Sequence, residues 1–343
     1  MDANQHIPEQ QAMPRVMKES KNKIRVDFER SPLWQRFKAK FLSTYFLTQV
    51  VWYIFRLILL IGISYVILFP FFAKISGSFM SMSDFVDVTV RLIPKGWTLD
   101  TYKAILLENN YFSAFMNTLL LSLSTALIQT LVCCFVGYGL AKFRFRGNRL
   151  VMVLVVVTLI IPHRTLAFSL QRFFLDFDIW GIIRLFAGTG IDLGKSNWPL
   201  YILSATGLAF KNGLFIFMMR QFFTGVPDEL EESAYVDGSG VYRTFLQIIL
   251  PLSIPMMITI FLLAFSWQWT DNFYTPLFNN KAVLMPAVNA IPPSLTEAAG
   301  NVSLYGSAIR NTAAILIMAP LVIMYLFCQR YLIQGIERSG IVG

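Results

Sequence analysis

The chain has 343 residues, of which 55% are hydrophobic and only 14% are charged. A soluble domain carries about 25% charged residues, so this composition excludes an ordinary water-soluble protein and indicates that much of the surface faces lipid. The net charge of +9 does not indicate nucleic-acid binding, because the basic residues cluster beside apolar segments.

Residues 1–52 are predicted to form a cytoplasmic tail. The first part of the tail is polar and lacks the apolar core of a cleavable signal peptide. Over residues 33–50, basic residues separate aromatic residues that recur at helical spacing, namely Trp34, Phe37, Phe41 and Tyr45. This pattern predicts a basic amphipathic helix on the membrane surface, with the cytoplasmic start of the first span as an equal alternative.

Six apolar runs follow, and each is long enough to cross a bilayer core, which takes about 20 residues. The runs are 53–75, 114–141, 150–171, 200–223, 246–270 and 311–333. The sequence therefore predicts an all-α, polytopic membrane protein with six transmembrane helices. Prolines inside several runs indicate bends, which membrane helices tolerate where neighbours satisfy the freed carbonyl groups.

The distribution of lysine and arginine predicts the orientation of these spans. A short loop holds four basic residues, Lys142, Arg144, Arg146 and Arg149. Cytoplasmic loops are enriched in such residues, so the N-terminus and the C-terminus are both predicted to be cytoplasmic. Segment 76–113 is then extracytoplasmic, as are the long segments after the third and fifth runs.

No pattern in the sequence indicates catalysis or metal binding. Cys133, Cys134 and Cys328 lie in apolar runs and are predicted to be small buried residues. His163 and Arg164 are expected to face solvent, with a place along a transport pathway as the alternative. The stretch 188–196 is similar to a phosphate-binding loop, but Thr189 occupies an obligatory glycine position, so we expect no nucleotide site here.

A short helix is predicted between the fourth and fifth runs, within residues 227–238. Pro227 suits a first helical position, and the acidic residues that follow suit the positive end of the helix dipole. Gly238 suits the left-handed residue that ends a helix. On these residues alone, a solvated surface helix and a docking element are equally good interpretations.

The same segment carries a family resemblance. Glu232-Ser233-Ala234 is followed by Gly238 and then by Ile248-x-Leu250-Pro251, with the spacing of the EAA loop. This loop belongs to the permeases of binding-protein-dependent ABC importers, and the chain departs from it only at Ser233, where the family usually has alanine. In the family, the loop helix is a coupling helix that docks on an ATPase. The coupling residues implied here are Glu231, Glu232, Ser233, Ala234, Asp237, Gly238, Leu250 and Pro251.

Other segments resemble the same family. The basic loop from Tyr138 to Gly147 is similar to the one after the second span, and residues 329–335 are similar to the C-terminal end of carbohydrate permeases, in particular the maltose-type second permease. The resemblance implies a type I ABC importer permease fold, with a permease core at 114–334 and a cytoplasmic tail at 335–343. In the maltose-type subunit this tail reaches the ATPase interface, which points here to Gly335, Glu337 and Arg338.

The resemblance also implies partners and a mechanism. The partners are a second homologous permease, two ATPase subunits, and an extracytoplasmic solute-binding protein, in the cytoplasmic membrane of a prokaryote. ATP and Mg²⁺ act in the ATPase subunits, so this chain is expected to hold no cofactor and to catalyse no reaction. The expected function is import of a sugar or oligosaccharide by alternating access.

Aromatic and amide side chains gather at the end of the fifth run, where sugar permeases have a similar stretch. Sugar rings stack on aromatic faces and their hydroxyl groups bond to amides, so Trp267, Trp269, Asp271 and Asn272 are predicted to line the substrate pathway. The alternative is an interfacial aromatic belt. Two other functions remain open: import of another polar solute such as a peptide, and secondary transport, which the lack of carboxylates at mid-span disfavours.

Overall fold

The computed structural model describes Trp34 and residues 44–279, 281–298 and 302–340, and these residues are mainly helical. In this part of the chain, extended backbone pairs only at two isolated bridges, Met80 with Trp97 and Phe177 with Ile191. Most of the predicted amphipathic helix at 33–50 lies outside the described residues. The described chain forms two units, one ending at Phe72 and one beginning at Ala73.

Four helices are long and apolar enough to cross a membrane, and they correspond to the first, second, fifth and sixth predicted runs. They are α1 (Thr44–Ser78), α4 (Tyr111–Lys142), α11 (Val241–Trp269) and α15 (Val302–Gly340). Helix α15 continues through the predicted C-terminal tail as far as Gly340. The side chains of Gly335, Glu337 and Arg338 lie outside the described residues.

The third predicted run is bent rather than straight. Helix α5 (Asn148–Ile160) ends before a 3₁₀ turn at His163–Leu166 that leads into α6 (Ala167–Leu175), and the chain bends by 92° at the break. Pro162 is the cause, because it has no N–H to continue the helical bonding and it forces the preceding residue into an extended conformation. The bend expected from a proline inside this run is therefore confirmed, and it is sharp enough to divide the run into two helices.

The fourth predicted run is two helices. Helix α8 (Trp198–Ala205) and helix α9 (Asn212–Thr224) are separated by a turn in which Gly207 and Lys211 have positive φ values of 76° and 70°. A left-handed residue ends a right-handed helix, so the continuous helix predicted over 200–223 is wrong. The described helices provide four candidate spans, or five if the bent pair crosses once, and six spans remain a prediction.

Helix α4 forms the centre of the second unit and packs against α8, α9 and α11. Its buried side includes Cys133 and Cys134, as predicted for small apolar residues. Gly137 allows the close approach of α9, because a Cβ atom at this position would lie 2.5 Å from the Cβ of Met219. The bundle therefore depends on small residues where helix backbones meet, as is usual in membrane proteins.

Short helices lie between the long ones. In the predicted extracytoplasmic segment 76–113 these are α2 (Met82–Val86) and α3 (Asp100–Glu108), and further along the chain they are α7 (Ile182–Ala187), α10 (Glu229–Val236), α12 (Tyr274–Phe278), α13 (Leu284–Asn289) and α14 (Pro293–Ala298). Asn109 ties two distant segments together, because its side-chain amide donates to the carbonyls of Ala287 at 2.8 Å and Ala290 at 2.9 Å.

Candidate functional site: a loop helix and an aromatic cavity

Helix α10 is short, and the local sequence favours both of its ends. Glu229, Glu231 and Glu232 occupy its first turn, where negative charge is favoured by the helix dipole. At the other end, Gly238 has a φ of 80°, its N–H donates to Tyr235 O at 3.0 Å, and Ser239 N–H donates to Ala234 O at 2.9 Å. This is the Schellman arrangement, which satisfies the last carbonyl groups and turns the chain toward α11.

Burial divides the residues of α10 into two faces. Glu231 and Ala234 face the protein and are buried. The other face is open, and it combines apolar and acidic groups, namely Leu230, Glu232, Ser233, Tyr235, Val236 and Asp237. Val236 is 87% exposed, which is unusual for an apolar side chain on so small a helix. The predicted coupling residues therefore do not share one surface, and only the second group is available to a partner.

Lys142, at the end of α4, holds α10 through a cluster with Asp228 and Glu231. Its ammonium donates to Val226 O at 2.7 Å and to Asp228 Oδ1 at 2.5 Å, and it lies 3.9 Å from Glu231 Oε1. The Lys142 side chain is only 7% exposed. Burial raises the pKa of Glu231, whereas the hydrogen bond from Lys142 lowers the pKa of Asp228. We call these three residues the Lys142 cluster.

An aromatic group built around Tyr138 lies beside Glu231 of the Lys142 cluster. The Tyr138 ring packs 4.6 Å from the ring of Phe245 and 5.4 Å from that of Phe223, measured between centroids. The Tyr138 hydroxyl lies beside the Glu231 carboxyl, but the two groups do not meet hydrogen-bonding geometry. Glu231 Oε1 is buried and has no hydrogen-bond partner among the described residues. Lys142 and Glu231 are therefore shielded from water, so the attraction between their charges is little screened, whereas Asp228 stays exposed.

The last two predicted coupling residues, Leu250 and Pro251, lie in α11 rather than in the loop helix. A π-helical turn at Phe245–Ile249 directly precedes them. Pro251 cannot donate a hydrogen bond to the preceding turn, and wide turns of this type commonly accompany such interruptions. These residues therefore shape the start of α11, and the sequence motif extends beyond the open face of α10.

A cavity of about 190 Å³ opens where α11 ends, and we call it the aromatic cavity. Its walls come from α4, α8, the turn between α8 and α9, the last turn of α11 and the residues that follow. Trp267, Asp271 and Asn272 line it, together with Phe210 and Gln129. Gln129 Oε1 is buried and has no hydrogen-bond partner within the described part of the chain, so one polar acceptor remains unpaired at this wall.

Trp269 does not line the aromatic cavity, contrary to the sequence prediction. Its side chain is fully buried between helices, where its ring stacks on Phe265 and meets Phe115 edge-on. The indole N–H donates to Ile317 O at 3.1 Å. A helical residue two positions away from Trp267 points in a different direction, so the two tryptophans cannot share one surface.

Asp271 stands at the rim of the aromatic cavity and also caps the next helix. Its Oδ2 accepts from the backbone N–H of Thr275 at 2.6 Å and from the Thr275 hydroxyl at 2.7 Å. Its Oδ1 accepts from the N–H groups of Phe273 at 3.1 Å and Tyr274 at 3.2 Å. The Asp271 carboxylate is thus committed largely to the N-terminus of α12, as acidic capping residues often are.

Sequence reasoning missed a second group of residues at this site, which the break between α8 and α9 places there. The Phe210 ring lies 5.2 Å from the Trp267 ring, and Lys211 Nζ lies over both rings, 4.7 Å from the Phe210 centroid and 5.1 Å from the Trp267 centroid. Gly207 in an otherwise apolar run was the available signal.

His163 is also more engaged than the sequence suggested. Its Nδ1 lies 2.7 Å from the Tyr274 hydroxyl, and its ring meets that of Phe210 at 4.6 Å. Arg164, in contrast, is exposed, so the two residues do not form the expected solvent-facing pair. Among the described residues, no group of three or more histidine, cysteine or acidic side chains is placed to hold a metal ion.

Residues 133–338 match the family described as "Binding-protein-dependent transport system inner membrane component". The chain belongs to this family. The matched residues include α10 and all the residues that line the aromatic cavity except Gln129. As an inner membrane component, the chain is a membrane protein, in agreement with its apolar helices.

Curated relatives of this family member are transport permeases. The alpha-glucoside transport system permease protein AglG of Rhizobium meliloti (strain 1021) is 28% identical over 254 residues, which are 73% of this chain and 62% of AglG. The chain thus spans about three fifths of AglG. The maltodextrin transport system permease protein MalD of Streptococcus pneumoniae is 28% identical over 302 residues, covering 86% of this chain and 95% of MalD.

The fold of this family member is also found in a solved structure. A chain from the crystal structure of a bacterial ABC transporter involved in the import of the acidic polysaccharide alginate superposes with a TM-score of 0.63. The match covers 83% of this chain and 97% of the other, at 18% sequence identity. The two chains therefore share a fold.

Proposed function

We propose that this chain is a transmembrane permease subunit of an ATP-driven importer, and that its cargo is a sugar or oligosaccharide. The observation that carries the proposal is the aromatic cavity, where Trp267 and Phe210 offer ring faces and Asn272 and Gln129 offer amide groups. Sugar recognition needs this combination, because the apolar face of a sugar ring packs on an aromatic ring while its hydroxyl groups take hydrogen bonds. AglG and MalD are named for the transport of alpha-glucoside and maltodextrin, which agrees with this cargo.

The cavity assignment is tested by uptake of labelled oligosaccharides into cells that express the complete importer. Trp267→Ala and Asn272→Ala should each lower uptake while the assembled complex keeps its basal ATPase activity. Trp198→Ala is the matched control, because Trp198 is an exposed tryptophan that does not line the cavity. Normal uptake in both cavity variants would leave the aromatic belt as the better interpretation.

The open face of α10 is proposed to dock on an ATPase subunit. The complete importer is proposed to contain two such ATPase subunits and a second permease of the same family. A short helix that exposes Val236 and Leu230 beside the acidic Glu232 suits a cleft with an apolar floor and a basic rim. Glu232→Lys should uncouple ATP hydrolysis from transport, because like charges would meet at that rim. Ser233→Ala should be tolerated. Purified complexes would show whether the ATPase is retained and stimulated.

The chain is further proposed to cross the cytoplasmic membrane of a prokaryote six times, with both termini in the cytoplasm. The third and fourth crossings would be made by the bent pair α5 and α6 and by the broken pair α8 and α9. In a cysteine-free background, single cysteines at Ser83 and Gly147 should react with a membrane-impermeant thiol reagent from opposite sides. Labelling of both from outside would contradict this topology.

The C-terminal residues Gly335, Glu337 and Arg338 are proposed to contact the ATPase subunits. Deleting residues 337–343 should reduce the ATPase activity that the solute-binding protein and cargo stimulate, without loss of assembly. Full stimulation in the truncated complex would count against this contact. The solute-binding protein itself is proposed to deliver cargo at the opposite side of the membrane, near the mouth of the aromatic cavity.

A further inference from the structure

Lys211 occupies a backbone position that lysine seldom adopts. It has a φ of 70° and directly precedes α9 as its N-cap residue. Left-handed backbone favours glycine, and among other residues asparagine and aspartate, because a Cβ atom meets the following carbonyl group. Non-glycine residues held in this region are concentrated at functional sites, where the surrounding structure fixes them. The strained turn directs the Lys211 side chain toward Phe210 and Trp267.

The Lys211 ammonium lies beside the aromatic cavity, although Lys211 itself does not line it. Its Nζ contacts the ring faces of Phe210 and Trp267, both of which line the cavity. Within the described part of the chain, no carboxylate lies within 4.0 Å of this ammonium, and the ammonium donates no hydrogen bond to any of those residues. A cation in an apolar surrounding is unfavourable unless it is paired, and ring faces compensate it only in part.

The nearest candidate for a counter-charge in the cavity is already occupied. Asp271 lines the same cavity, but its two carboxylate oxygens accept four hydrogen bonds from the start of α12. Asn272 and Gln129 are neutral. Among the described residues, an ammonium without a carboxylate partner therefore lies against two aromatic rings of the cavity wall, which is an arrangement suited to an anion attached to a ring.

We propose that the cargo is an acidic saccharide, and that its carboxylate binds Lys211 while a sugar ring packs on Trp267. This inference rests on the proposed function, because it requires the aromatic cavity to hold the cargo. A carboxylate would neutralise the ammonium when the cavity closes and excludes water. A neutral sugar of the same size would leave the charge desolvated, so the cavity would discriminate against it.

The test compares two saccharides that differ only in charge, a uronate-containing oligosaccharide and the neutral oligosaccharide of the same length and linkage. Cells that express the complete importer should take up the acidic one in preference. Lys211→Asn removes the charge while keeping a residue that tolerates positive φ, and it should lower uptake of the acidic saccharide at least tenfold. Lys211→Arg should retain uptake, and Lys195→Asn, at an exposed lysine outside the cavity, should change nothing.

Three outcomes would overturn the proposal. If the unmodified importer takes up only the neutral saccharide, the cargo class is wrong although the chain remains a sugar permease. The same holds if Lys211→Asn leaves acidic uptake unchanged. If the unmodified importer takes up neither saccharide, nor any member of a wider saccharide panel, the proposed function itself fails. Copurification of the ATPase subunits with each variant shows that the complex is intact.

Discussion

Lys142 Nζ lies 3.9 Å from Glu231 Oε1, and this contact joins the end of a long apolar helix to the loop helix α10. Both side chains are almost fully buried, with exposed fractions of 7% for Lys142 and 11% for Glu231. A contact of this kind leaves little freedom for α10 to move alone. A movement imposed on the open face of α10 would therefore be transmitted to α4.

Replacing Lys142 should loosen α10. Lys142→Met leaves the Glu231 carboxylate buried without a compensating charge, and breaking a buried pair on one side costs about 3–5 kcal/mol. Amide hydrogen exchange in residues 227–240 should become faster, and ATP-driven uptake should fall. Lys142→Arg should restore both. Arg146→Met is the control, because it removes a positive charge from the same loop at an exposed site; equal effects of the two variants would contradict the prediction.

Glu231→Gln should have a pH-dependent effect on stability. Burial raises the pKa of Glu231, so its ionised form is destabilising above that raised pKa, and this penalty disappears as the pH falls below the unfolded value. Ionisation of Asp228 affects stability in the opposite direction. Its lowered pKa contributes stability at neutral pH, and this contribution is lost as the pH falls through the lowered value. Glu231→Gln removes only the first effect.

The corresponding measurement is the melting temperature of the purified complex between about pH 3 and pH 8, a range that brackets the usual Asp and Glu pKa values. The variant should gain stability relative to the unmodified protein as the pH rises, and the difference should vanish at the acidic end. A variant that instead loses stability relative to the unmodified protein as the pH rises would show that Lys142 stabilises the Glu231 charge more than burial destabilises it.

Gly238→Ala should weaken the end of α10 through the backbone alone. Gly238 has a φ of 80°, and a Cβ atom there would meet nothing within 4 Å, so the cost of about 1–2 kcal/mol comes only from the left-handed conformation. Gly238→Asn should cost less. Gly240→Ala is the matched control, since Gly240 has a φ of −80° and equal space. Hydrogen exchange of residues 234–242 would separate the two glycines.

Gly137→Ala should destabilise the packing of α4 against α9. The new Cβ would lie 2.5 Å from Met219 Cβ and 2.9 Å from Arg220 N, and overpacking of this kind typically costs about 1–3 kcal/mol. Gly139→Ala, two residues along the same helix, would meet only Phe143 at 4.0 Å and should be neutral or slightly stabilising. Thermal unfolding of the purified complex would compare them; equal losses would contradict the packing explanation, because helix propensity favours alanine over glycine at both positions.

Local sequence determined the parts of this protein that depend on neighbouring residues. The acidic first turn and Gly238 were enough to predict α10, because caps and left-handed stops act over a few residues. Hydropathy alone predicted α1, α4, α11 and α15, because a bilayer requires long apolar helices with internally paired backbones. The family motif also lies within one short stretch, so it could be read without the fold.

Only the tertiary structure decided which faces of these elements are used. Glu231 and Glu232 are adjacent, but one meets Lys142 and the other faces solvent, and the Lys142–Asp228 hydrogen bond of the same cluster spans 86 positions of the chain. Trp269 is buried between helices, whereas Trp267 lines the cavity, because neighbouring helices cover Trp269 but not Trp267. The turn that places Lys211 over the rings of Phe210 and Trp267 likewise requires a left-handed backbone conformation, which the surrounding helices hold in place. The spacing of apolar residues does not predict such a turn.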